Sequence, residues 1–126
     1  MACNGTKLSY FQRMLPHPST EEIDLATIMA VLGDKTRLAI LGDLARRENV
    51  ALNCSHFISL ASKSNLTYHL GKMREAGIIR VERSGTMKLM TLRRADLDAR
   101  FPGFLDSVIA SAIDLAPPFE DAGEDA

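Results

Sequence analysis

Residues 62–92 read Ser62-Lys63-Ser64-Asn65-Leu66-Thr67-Tyr68-His69-Leu70-Gly71-Lys72-Met73-Arg74-Glu75-Ala76-Gly77-Ile78-Ile79-Arg80-Val81-Glu82-Arg83-Ser84-Gly85-Thr86-Met87-Lys88-Leu89-Met90-Thr91-Leu92. Leu66, Leu70 and Met73 recur at i, i+4 and i+7, so the spacing predicts a helix over 62–76 with one inward stripe. Gly77 is the stop. Beyond it, 79–83 and 87–92 are the arms of a hairpin, and Ser84-Gly85 supplies a turn able to take positive φ. A two-stranded hairpin is marginal alone and must pack on the helices. Gly71 inside the helix costs on the order of 1 kcal/mol relative to alanine, tolerable where the helix lies close to a neighbouring backbone.

With Leu66, Leu70 and Met73 turned inward, Lys63, Ser64, Thr67, Tyr68 and Lys72 are left mostly outward. The helix therefore presents hydroxyls, an amide and a phenol, and the hairpin presents cations. Helix, glycine stop and hairpin in this order are the layout of a DNA-reading winged helix-turn-helix.

Charge supports the same conclusion once it is divided along the chain. The 126 residues carry a formal net charge of −1, which by itself argues against a nucleic-acid partner. Residues 1–61 are balanced, with six Lys/Arg and six Asp/Glu. Residues 62–94 hold eight against two, and 95–126 hold one against eight, so a +6 block coincides with the helix and hairpin while a −7 tail hides it. The alternative is a solvated charged face with no partner.

The rest of the chain reads as a mainly α domain around that unit. Pro16-His17-Pro18 breaks any helix before it, so 1–18 is a flexible N-terminal arm. Ser19 or Thr20 caps a first helix running to Gly33, with Ile23, Leu25, Ala26, Ile28, Met29 and Leu32 making an apolar surface wide enough for a partner subunit. Asp34 caps a second helix over 35–47, and a short third helix fits the stretch from Cys54 to Leu60. A short helical piece over 94–100 is interrupted by Pro102-Gly103, and a last apolar helix follows from Phe104 to Pro117. That last helix has little of its own domain left to cover it. Ile28, Met29, Phe104, Val108, Ile109 and Ile113 are accordingly the dimer-interface candidates. The domain is expected over 19–116, and 117–126 is an acidic disordered tail.

Three segments carry a resemblance to the ArsR/SmtB family of bacterial transcriptional repressors. Leu32-Gly33-Asp34-Lys35-Thr36-Arg37-Leu38-Ala39-Ile40-Leu41 is similar to that family's opening motif. Ser62 to Leu70, and Met73 to Ile79 leading to Arg83-Ser84-Gly85-Thr86, follow at the expected separations, and together they span roughly 20–115. The resemblance implies a homodimer that binds a palindromic double-stranded DNA operator and lets go when an inducer binds. It places the base contacts on Lys63, Ser64, Thr67 and Tyr68, with Ser62, Lys72, Arg83, Thr86 and Lys88 as phosphate contacts. The chemistry agrees, because Lys63 can donate to guanine acceptors and the three hydroxyls can pair with base edges. Tyr68 has the alternative of packing on its own domain and exposing only its hydroxyl. His69 reads as a hydrogen-bonded structural residue rather than a metal ligand, and Met29, Met73, Met87 and Met90 read as core or interface fillers.

The chain departs from the best-known members of the family in its metal ligands. Cys54 stands with only His56 nearby, and 93–126 contain neither histidine nor cysteine, so the three or four N/S ligands of a tight zinc or copper site are not available within one subunit. No metal and no cofactor is therefore expected. A small-molecule inducer at the dimer seam is the leading alternative signal, and oxidation of Cys54 is the second. Two cysteines, Cys3 and Cys54, are too few for a disulfide scaffold. No apolar run approaches the length of a membrane span, and no signal-peptide pattern stands at the start, so a cytoplasmic protein with no membrane partner is expected. An enzyme is not expected either, since no cluster of acid, base and nucleophile and no phosphate-cradling glycine loop is visible. A protein-interaction module that kept the scaffold without DNA binding is the remaining alternative class.

Overall fold

The structure, a computed structural model, describes residues 16–48, 51–53, 57 and 62–115, with the side chains of Asn53, Lys63 and 113–115 outside that description. Among the described residues the helices are α1 (Leu25–Leu32), α2 (Lys35–Arg46), α3 (Lys63–Ala76), α4 (Arg94–Arg100) and α5 (Phe104–Leu115), and the strands are β1 (Leu52–Asn53), β2 (Ile79–Ser84) and β3 (Met87–Leu92). The expected third helix falls on 54–60, where Phe57 alone is described, fully buried. The expected arm over residues 1–15, Cys54 and the expected tail lie outside the described residues.

Local chemistry sets most of the boundaries. The Ser62 hydroxyl accepts from the Asn65 N–H at 3.3 Å and caps α3. At the other end Gly77 takes φ +91°, and the N–H of Ile78 reaches back to the Met73 carbonyl at 2.9 Å. Gly77 is also a packing requirement, because a Cβ there would lie 2.7 Å from Ile23 Cγ1. Asp34 accepts from the Arg37 N–H at 3.1 Å and starts α2 as expected.

The first helix starts later than its sequence suggests. Thr20–Glu22 form a separate 3-10 turn, held by the Ser19 N–H donating to Glu22 Oε1 at 2.8 Å. Ile23 is then extended and buried, and Asp24 rather than Ser19 or Thr20 caps α1 by accepting from the Thr27 N–H at 3.0 Å. In this extended conformation the Ile23 side chain packs against Gly77, a contact between residues far apart in the chain.

The hairpin pairs Ile79 with Leu92, Val81 with Met90 and Ser84 with Met87, closed by Gly85 at φ +64° and Thr86. A third strand was not expected. β1 pairs with β3 through Leu52 and Met90, giving the antiparallel order β1-β3-β2 and covering one edge of the wing. Strands this short carry no readable alternation.

Among the described residues one hydrophobic cluster runs from Ile23 and Ile28 through Leu41, Phe57, Leu66, Met73 and Ile79 to Leu105 and Ile109. It corrects two interface candidates. Ile28 is 1% exposed and Ile109 is buried, so both serve their own core and are closed to a partner. The last helix is also better covered than its position suggests, because α2 packs along it. A Cβ on Gly42 would come within 3.9 Å of the Ala112 carbonyl oxygen. Leu105, Ile109 and Ala112 form the inward stripe of α5, while Phe104 and Val108 sit half-buried beside it. Met29, at 58% exposed, is the interface candidate that projects outward.

Candidate nucleic-acid interface

The inward stripe of α3 is as spaced: Leu66, Leu70 and Met73 are buried. Ser64, Asn65, Thr67 and Tyr68 are exposed on the opposite side, and Lys72 is half-buried. The Lys63 side chain lies outside the description. Tyr68 is 58% exposed, so its ring is presented to solvent rather than packed on the domain. Two cations lie within reach of that ring, the Arg37 guanidinium carbon 5.6 Å and the Lys72 Nζ 5.9 Å from its centroid.

Arg37, on α2, has a role that its place in the sequence does not reveal. Its Nη1 donates to the Val31 carbonyl at 3.0 Å and its Nε donates to His69 Nδ1 at 3.1 Å. One side chain thus ties the end of α1 to the α3 helix. His69 is the acceptor of that bond, which makes it the structural residue expected of it, with its ring edge-on to Tyr68 at 5.9 Å. A motif arginine next to a helix cap was the available signal, but its partners are 6 and 32 residues away.

The wing projects Arg83, Thr86 and Lys88, all exposed. Arg83 and Lys88 are directly opposed in the register, so two like charges face each other across the ladder. Ser62 is exposed, and its hydroxyl oxygen already serves the α3 cap.

The +6 block is narrower in space than in sequence. Arg93 is buried and donates to Asp96 at 2.9 Å, and Arg80 pairs with the same carboxylate at 3.5 Å. The Arg93 hydrogen bond, with smaller help from Thr20 and Arg80, holds the Asp96 carboxyl below the usual carboxylate range against the opposing effect of burial. Arg94 joins Glu48, Asp98 and Asp106, and its hydrogen bond to Glu48 leads the upward shift of its guanidinium. Arg74 donates to the Pro16 carbonyl. Among the described residues the cations left without a carboxylate partner on this face are Lys72, Arg83 and Lys88, grouped on α3 and the wing. Such a group can neutralise phosphates, and the hydroxyl face of α3 beside it can meet base edges.

Between these two elements runs a groove lined by Thr67, Leu70, Gly71, Arg74, Val81, Lys88 and Met90. Gly71 faces open space there, with nothing within 4 Å of an added Cβ, so the close neighbouring backbone expected from its sequence position is not present. No described helix is long and apolar enough to cross a membrane.

Comparison with known proteins agrees with this geometry. The chain is 29% identical over 101 residues to the uncharacterized HTH-type transcriptional regulator YceK of Bacillus subtilis strain 168, covering 79% of this chain and 99% of that protein. Residues 32–82, from the end of α1 through α3 into β2, match a family described as a helix-turn-helix domain. The match covers the elements that position α3, and with the hairpin that follows them the chain has a winged helix-turn-helix fold.

Proposed function

We propose that this chain is a DNA-binding transcriptional regulator, acting as a homodimeric repressor of the ArsR type on a palindromic operator. The observation that carries the DNA-binding part is the grouping, among the described residues, of cations without a carboxylate partner on the wing and α3 around an exposed hydroxyl face, on the fold of a winged helix-turn-helix. The relative's name as a transcriptional regulator points the same way. In this reading Lys63, Ser64, Thr67 and Tyr68 meet base edges in the major groove, and Ser62, Lys72, Arg83, Thr86 and Lys88 hold phosphates on either side. Dimerisation draws on the outward residues of α1 and the flank of α5, chiefly Met29 with Phe104 and Val108. Two copies are needed because a palindrome presents two half-sites related by the same two-fold axis.

Release by a small-molecule inducer at that seam belongs to the same proposal, and titrating candidate ligands against operator affinity tests it. The primary experiment is fluorescence anisotropy of the purified protein on duplex DNA from upstream of its own coding region, against a scrambled duplex, across salt concentrations. Selective, salt-dependent binding is expected. Equal, weak and salt-insensitive binding to both duplexes would refute the DNA reading and favour an interaction module.

A further inference from the structure

We propose that the groove between α3 and the hairpin seats one phosphodiester of the DNA backbone, with Gly71 as the point of closest approach and Lys88 and Arg83 as the counter-charges. The proposal rests on the DNA-binding reading and specifies where the backbone lies against the protein.

Gly71 carries the first part. It stands inside α3, where glycine is disfavoured, and its φ is not in the left-handed region, so the backbone there accepts any residue. A Cβ would meet nothing within 4 Å, so packing does not require glycine either. Neither the helix nor the core accounts for the missing side chain. What the missing side chain does is keep the groove floor open between Thr67 and Arg74 on α3 and Val81, Lys88 and Met90 on the hairpin.

The hairpin carries the second part. Residues alternate between its faces, so Val81, Met90, Arg83 and Lys88 share one face. Near the helices that face is apolar and buried, at Val81 and Met90. Towards the tip it becomes cationic, at the opposed pair Arg83 and Lys88. Placing like charges opposite each other destabilises the ladder, and among the described residues no carboxylate forms an ion pair with either. An anion between the wing and α3 would relieve that repulsion. A bridging phosphodiester supplies a single negative charge, and it belongs to the polymer that α3 is proposed to read.

The test uses the full chain, its own upstream duplex and a mixed-sequence duplex of equal length. Gly71→Ala is expected to raise the melting temperature, because it improves helix propensity without a clash, while lowering affinity for both duplexes roughly tenfold. Lys88→Ala is expected to reduce the salt slope by about one, and the double variant to lose less than the product of the two single losses, since both act on one phosphate. Gly71→Ala binding both duplexes like the wild type, or losing affinity for one alone, would overturn the seat and leave the DNA reading intact. A lowered melting temperature would also overturn it, because the fold itself would then require the glycine. Wild-type protein with no salt-dependent binding to either duplex would overturn both.

Discussion

Arg37→Ala tests how α3 is held, and its magnitude follows from three contacts. The guanidinium donates to the Val31 carbonyl at 3.0 Å and to His69 Nδ1 at 3.1 Å, and it lies 5.6 Å from the centre of the Tyr68 ring. Hydrogen bonds from charged donors contribute on the order of 1.5–3 kcal/mol each, and an exposed cation–π contact about 0.5–1 kcal/mol. Arg37 and His69 are half-buried, so water recovers part of this in the variant, and a net loss of about 2–3 kcal/mol is expected. Urea unfolding followed by far-UV circular dichroism reads that loss, and for a domain of this size it corresponds to a fall in Tm on the order of 10 °C. A double-mutant cycle with His69→Ala isolates the shared bond, with an expected coupling of about 1 kcal/mol. Arg37→Lys should recover little, because an ammonium does not present the fork that serves two partners. Affinity for every duplex should fall in Arg37→Ala, since the reading helix loses its tie to α1 and α2. A loss below about 0.5 kcal/mol that is additive with His69→Ala would show that the link carries no energy.

Gly77→Ala should cost about 3 kcal/mol, combining a left-handed backbone with a Cβ 2.7 Å from Ile23, and Ile23→Ala in the same chain should recover part of it; a cost under about 1 kcal/mol in thermal unfolding would contradict the clash. Thr67→Ala or Tyr68→Phe should change selectivity at single operator positions by about 1–3 kcal/mol, measured with a panel of substituted duplexes. Arg83→Ala should instead weaken binding to all duplexes alike and lower the salt slope by about one, so an effect confined to one base pair would move Arg83 from the backbone to a base edge. Asp96 has a folded-state pKa below its ordinary 3.8, so the unfolded chain binds more protons between the two values. Its contribution is therefore complete above that range and disappears as pH falls through the folded value. The stability difference between wild type and Asp96→Asn should be flat from neutral pH to about 5 and shrink below about 4 in denaturant titrations.

Much of the recognition unit was legible because its determinants are local. The i, i+4, i+7 stripe of Leu66, Leu70 and Met73, the stop at Gly77 and the turn at Gly85 each depend on a few neighbouring residues, and the structure places all three as spaced. The outward position of Tyr68 follows from the same period. The beginning of α1 was misplaced because two caps compete there. Between them stands Ile23, extended and buried against Gly77, a partner that lies far along the chain.

The sequence by itself determined the helix periods, the Asp34 cap, the hairpin and the basic character of residues 62–94, since these are set by residue type and spacing. Only the tertiary structure decided that Ile28 and Ile109 belong to the core, that β1 closes an edge of the sheet, and that Arg37 ties α1 to α3. It also decided which cations remain for a partner, by setting Arg80 and Arg93 against Asp96 and Arg94 against Glu48 and Asp106. Charge can be counted along a chain, but neutralisation depends on distances of a few ångströms between residues that only folding brings together.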